Sequence, residues 1–226
     1  MCGRMNITDN EGIRLLMELV GMPSWPSIQA RYNVAPSAQL DVVVRATDSK
    51  GEAASLEHME GHWGLIPPWA RPGQFSSPLI NARSETVWEK PSFRNLIKHQ
   101  RVCVPINGFY EWHREKSAKI PYFIKPADTR AMLIAGIYQR SADRTDITLL
   151  TTAANELMAP VHHRMPVVIN SDQVDEWLHN DDPEILNQLM QPAANDVLTL
   201  QQVSDYVNNA KNEGPECVAA AGGSLL

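Results

Sequence analysis

Cysteine is scarce in this 226-residue chain: three residues, Cys2, Cys103 and Cys217, with no C-x-x-C pair among them. That excludes a disulfide framework and a paired-thiolate metal site, and it fits a reducing compartment. Long apolar runs are missing too. None approaches the roughly 18–20 residues of a membrane span, and the N-terminus lacks a secretory pattern. Asn6-Ile7-Thr8-Asp9 stands where an export signal needs apolar residues. The expected location is the cytoplasm, with no membrane partner. No internal repeat is visible, which removes solenoids and propellers. Length allows one domain, or one domain with a tail.

Acidic residues outnumber basic ones, and the formal net charge of −6 speaks at first against nucleic acid. The distribution of charge matters more than its sum. Residues 1–125 hold 15 Lys+Arg and 12 Asp+Glu, whereas residues 126–226 hold 5 and 14. The basic excess lies in the half containing Cys2. It is compatible with a local phosphate-binding groove and equally with chance.

What is present starts at residue 2. Methionine aminopeptidases remove Met1 when a small side chain such as Cys follows, so Cys2 is expected to become the first residue. It would then carry an α-amine, with a pKa of about 7.7–8.0, beside a thiol, with a pKa of about 8.5. Three readings compete: an incidental buried Cys, an N-terminal-nucleophile hydrolase, and a 1,2-aminothiol that captures an aldehyde.

Thr8-x-x-Glu11 reads as a capping box for a helix with Ile13, Leu16, Met17 and Val20 on one face and Gly21 as its stop. Short apolar runs at Val42–Val44, Val102–Ile106, Tyr122–Ile124, Met132–Ile137, Ile147–Thr152 and Val167–Ile169 read as strands. Cys103 falls in one of them as inert core. Ser84–Arg101 reads as helical, interrupted at Pro91. Ser171 and Asp182-Pro183 open two short helices. Strands dominate without βαβ alternation. The expected fold is therefore α+β, a single domain on mainly antiparallel sheet with flanking short helices. It should span residues 1–212, with 213–226 a flexible Gly/Ala/Ser-rich tail.

Four polar clusters interrupt the apolar pattern: Arg31-Tyr32-Asn33-Val34-Ala35-Pro36, Asn81-Ala82-Arg83-Ser84-Glu85-Thr86, Asn107-Gly108-Phe109-Tyr110-Glu111-Trp112, and His162-His163-Arg164-Met165-Pro166. With Cys2-Gly3-Arg4, Trp63-Gly64, Pro67-Pro68-Trp69, Thr151-Thr152-Ala153-Ala154 and Val207–Asn212, they resemble the motifs of the SRAP family, the SOS-response-associated proteins that process abasic sites in DNA. Each motif is weak alone, but the ordered set is specific. The resemblance implies a barrel-like sheet and a covalent link between Cys2 and abasic single-stranded DNA, with lyase and autopeptidase activity as associated possibilities. It implies catalytic roles for Cys2, Asn81, Glu111 and His162. It implies DNA contacts from Arg4, Asn33, Pro36, Trp69, Arg83, Thr152 and Arg164. Some relatives carry two tryptophans where this chain has Trp69-Ala70.

The residues also have an account of their own. An abasic sugar opens to an aldehyde, an amine makes an imine of it, and a neighbouring thiol closes a thiazolidine. Only an N-terminal Cys holds both nucleophiles at fixed distance. The condensation needs proton transfers, for which Glu111 among aromatic residues and His162 are suited. An amide at Asn81 can hold a sugar as donor and acceptor. Guanidinium forks at Arg4, Arg83 and Arg164 suit phosphate oxygens, and Trp69 can stack on a base. His162-His163 is no metal signature, because adjacent strand residues face opposite ways and no third ligand is suitably spaced. No metal and no cofactor are expected, and the chain is expected to be a monomer. A glutamine amidohydrolase and a non-catalytic DNA-binding domain are the alternatives.

Overall fold

Runs of β-branched residues bury themselves by pairing, and here they pair into two sheets. The computed structural model describes residues 2–47, 53–71, 77–116 and 118–222. Its strands are Met5–Ile7 (β1), Arg31–Val34 (β2), Gln39–Thr47 (β3), Ala53–Trp63 (β4), Asn81–Arg83 (β5), Arg101–Ile106 (β6), Gly108–Glu115 (β7), Ala118–Pro126 (β8), Met132–Arg140 (β9), Thr145–Ala153 (β10), Arg164–Pro166 (β11), Val168–Ile169 (β12) and Leu198–Gln202 (β13). β10 pairs with β4, β4 with β3, β3 with β6 and β6 with β9, and β9 returns to β10. This circuit closes a barrel-like ring, with β4 joined to β10 at His62 and Trp63. A second, antiparallel sheet runs β13-β8-β7-β1-β2. The expected α+β class is the one observed. Among the described residues, parallel pairing is confined to β10–β4 and β10–β5.

All of β6 is buried, including Cys103, whose thiol is pushed far up by burial. β4 was not foreseen. Its inward residues Met59, Gly61 and Trp63 are buried, but they alternate with His58, Glu60 and His62, which mask the apolar signal.

The first helix is Asn10–Leu19 (α1), with Ile13 and Met17 buried as its pattern predicts. Its cap is Asp9, which accepts from the Gly12 N–H at 3.0 Å, and not Thr8, whose hydroxyl donates to Asn6 Oδ1. Gly21 ends it with φ 82°. Residues 84–101 depart further from expectation. Pro91 withholds an N–H and breaks the segment into turns, and only Ser84–Thr86 (3-10) and Leu96–His99 (α2) coil. Val174–His179 (α3) and Pro183–Leu189 (α4) form near their expected positions. Asp182 caps α4, accepting from the Glu184 N–H at 2.8 Å. Buried Arg101 donates to the carbonyls of Ile97, Trp177 and Asn180, so it satisfies the ends of α2 and α3 together.

The segment after Asn212, expected as a mobile tail, is hydrogen-bonded to the body of the protein as far as Ala221, whose N–H donates to the Gln202 carbonyl at 3.3 Å. Glu213 accepts from the N–H groups of Tyr32 and Asn33 at 2.8 and 3.2 Å. Cys217 is buried beside Tyr110, Phe123, Val203 and Val207, and burial pushes its thiol up to about 11. Val203 and Ala220 form a bridge. Low-complexity composition concealed these anchors because they are single residues with distant partners. The expectation for residues 223–226 lies outside the described residues.

Candidate active site

The N-terminus is brought to its partners by β1. Met5 pairs with Phe109 and Asn6 with Gly108, and the Tyr110 N–H donates to the Arg4 carbonyl at 2.9 Å. Cys2–Arg4 therefore runs beside the stretch of β7 that carries Glu111. On its other side β7 closes on β8 at Gly108, where a Cβ would meet the Phe123 ring at 2.4 Å. β5 lies parallel to β10, with Asn81 opposite Leu149 and Arg83 opposite Thr151. β11 lies on the same end of β10, with Met165 opposite Thr152. His162, just ahead of β11, lies near enough to Glu111 and the amino terminus for both charges to act on it.

Cys2 is fully buried, and the Asn81 Nδ2 donates to its carbonyl at 2.8 Å. Asn81 Oδ1 is buried and accepts no hydrogen bond among the described residues, so an acceptor is available beside Cys2. Glu111 is 3% exposed. Burial drives the Cys2 thiol pKa well above its ordinary value, the Glu111 charge adds to this, and the amino terminus opposes it. Burial also lowers the His162 pKa, while Glu111 pulls it the other way. Glu111 therefore acts on Cys2 and His162 together. His162 Nδ1 lies 3.0 Å from the Arg164 N–H and 3.1 Å from the Arg164 carbonyl oxygen, so the Arg164 backbone fixes the ring in place. The His163 ring stacks on His162 with centroids 4.4 Å apart. Trp63, a buried core residue, donates from Nε1 to the Ile80 carbonyl at 3.0 Å and so steadies the residue preceding Asn81.

The expected DNA contacts divide in two. Pro36 and Arg83 are exposed, and Trp69 is half-exposed on its loop. Asn33, Thr152 and Arg164 are buried. Arg164 grips Glu85 with both terminal nitrogens and donates to the Thr151 carbonyl at 2.6 Å. Its fork is occupied by a carboxylate and not open to a phosphate, and the pairing depresses the Glu85 pKa. Asn33 points inward: its amide donates to the carbonyls of Asn209 and Asn212 at 3.0 and 2.9 Å and accepts from Arg4 at 2.6 Å. Arg4 also donates to the Val207 carbonyl, and its guanidinium lies 5.6 Å from the Trp112 ring centroid. Asn33 and Arg4 therefore clamp the C-terminal segment, a role no local sequence signal announces. Asn33→Ala should cost about 1–3 kcal/mol, since it strands buried carbonyls and Arg4. A lower Tm together with faster proteolysis after residue 203 checks this. An unchanged melting curve would refute the clamp.

A barrel-like ring joined to a second sheet brings the Cys2 backbone, an amide, a carboxylate and an imidazole together, and these features define the class of the candidate site. The SOS response associated peptidase (SRAP) model matches residues 1–210, and the chain belongs to that family. It is 38% identical over 195 residues to the abasic site processing protein YoqW of Bacillus subtilis, covering 83% of this chain and 84% of that one. It is 30% identical to the abasic site processing protein YedK of Escherichia coli, covering 96% and 99%. An X-ray structure of a protein from Bacteroides thetaiotaomicron matches with a TM-score of 0.78 at 25% identity, covering 97% of this chain and 100% of that one.

Proposed function

We propose that this protein captures abasic sites in single-stranded DNA by covalent linkage to Cys2, made N-terminal by removal of Met1. The observation that carries this reading is the meeting of Cys2, Asn81, Glu111 and His162, drawn from four separate segments. The names of the relatives add to it.

The Cys2 amine attacks C1′ of the ring-opened sugar aldehyde, giving a carbinolamine. Loss of one water gives an imine. Cys2 Sγ then adds to the imine carbon, the thiol proton leaves, the nitrogen takes up a proton, and a thiazolidine closes. No oxidant or reductant is needed. Because both nucleophiles belong to one residue, ring closure is intramolecular. The thiol is held protonated by burial and by Glu111, so Glu111 is placed to accept its proton as sulfur attacks. His162, whose pKa burial lowers, serves ring opening and the dehydration. Asn81 fixes the Cys2 backbone and offers Oδ1 to a sugar hydroxyl. The adduct would shield the lesion from strand cleavage and error-prone bypass. Strand cleavage through the imine and autoproteolysis are separate reactions that this reading does not require.

A denaturing gel with labelled oligonucleotides tests it. A heat-stable adduct should form with abasic single strands and not with intact ones. Non-covalent binding should weaken with salt, and Arg83→Ala should flatten the log–log slope by about 0.7, the loss of one phosphate contact. Release of ammonia from glutamine without an adduct would mark an amidohydrolase instead. Binding without an adduct would mark a non-catalytic DNA-binding domain.

A further inference from the structure

We infer that the cavity walled by Trp88, Thr152 and Asn187 is a subsite for an unpaired nucleobase adjacent to the lesion, an inference that rests on the abasic-site reading. The cavity has a volume of about 410 Å³ and is lined by Ser84, Glu85, Trp88, Thr152, Asn187 and Gln191, with buried Met190 also on its wall. That size lies within the roughly 300–1,000 Å³ of small-molecule sites.

Its position follows from β5. Asn81, which holds Cys2, opens the strand; exposed Arg83 follows; Ser84 and Glu85 then form the cavity wall. At strand rise, Ser84 lies about 10 Å from Asn81. That separation suits a neighbour of the nucleotide being captured, with Arg83 between them for the intervening phosphate. Across β10, Thr151 is the partner of Arg83 and Thr152 the next residue, so the cavity and the reactive centre share the same two strands.

The chemistry of the wall suits a base. Trp88 packs partly against the core, lines the cavity with the rest of its surface, and is steadied by donating from Nε1 to Asn187 Oδ1 at 2.8 Å. An indole held in this way is a stacking platform, worth about an order of magnitude in affinity. Asn187, its oxygen used by Trp88, keeps an NH₂ for a base acceptor, and the Thr152 hydroxyl can donate or accept. Glu85, the one anion on the wall, is neutralised by Arg164. The wall therefore does not repel a strand that arrives with its own charge.

The test is a coupling cycle read by fluorescence anisotropy. The probe is a single strand with a central tetrahydrofuran site, which lacks the aldehyde and cannot link. In two further probes, the nucleotide on one side or the other also lacks its base. Wild type should lose about tenfold in affinity when the base on one side is removed, and little on the other side. Trp88→Ala should lose about tenfold on the parent probe and be indifferent to that removal, and Trp88→Phe should recover most of the loss. Equal affinity of Trp88→Ala and wild type for the parent overturns the subsite. So does a Trp88→Ala loss that persists undiminished when the neighbouring base is absent, which would mark a general effect on the fold. The outcome is separable from the chemistry: if wild type shows the coupling yet forms no adduct with a true abasic site, the subsite stands and the linkage falls.

Discussion

Cys2→Ser should abolish the stable adduct with abasic single-stranded DNA completely, while borohydride still traps an imine. The serine protein keeps the α-amine and loses only the sulfur that closes the ring. A protein extended ahead of Cys2 keeps the sulfur and ties the amine into a peptide bond; it too should give no stable adduct, and borohydride should trap nothing. Two different lesions in one residue thus predict two different failures on one gel. Cys2→Ala should behave as Cys2→Ser. A borohydride-independent adduct from the extended protein would show that the amine is not the nucleophile, and the aminothiol mechanism would fall.

Glu111→Gln should slow linkage by about 100-fold or more, in the range of a positioned acid–base group, while affinity for a tetrahydrofuran-containing strand stays nearly unchanged. The thiol pKa is raised by burial and by the Glu111 charge, so the thiolate is a negligible fraction at neutral pH. Sulfur must therefore shed its proton as it attacks, and the carboxylate acting on it is the natural acceptor. The wild-type rate should accordingly rise as the α-amine loses its proton at about pH 7.7–8.0 and then level off, with no second rise at about pH 8.5, where a free thiol ionises. In Glu111→Gln the acceptor is gone and sulfur must lose its proton to solvent, so the residual rate should keep rising with pH beyond the wild-type plateau. Asn81→Ala should be slower through loss of Cys2 placement, and His162→Ala should act on ring opening or reversal. Single-turnover linkage rates, set against anisotropy measurements, check all three. If binding and linkage fall together in each variant, these residues hold the fold and do not serve the reaction.

The sequence by itself pointed to the candidate reactive groups Cys2, Asn81, Glu111 and His162, because chemistry is a property of side chains and their motifs, each weak alone, form a specific ordered set. It also carried the strands whose both faces are buried. Val102–Ile106 and Ile147–Thr152 read as continuous apolar runs because the ring covers them on each side. β4 was hidden by its own alternation, and residues 84–101 looked helical because propensity does not register how turns are satisfied by neighbours. Tertiary structure alone decided which polar residues face the solvent. Arg83 and Arg164 look alike beside their motifs, yet one is exposed and the other is closed over Glu85, since burial of a guanidinium depends on a carboxylate 79 positions away. Asn33 reads as a DNA contact, but it turns inward to carbonyls more than 170 positions distant. The elevated Cys2 thiol, the inward clamp on the C-terminal segment and the cavity beside Trp88 have the same origin. Each is made by groups far apart in the chain, and desolvation and pairing act on distance in space, which a linear pattern does not encode.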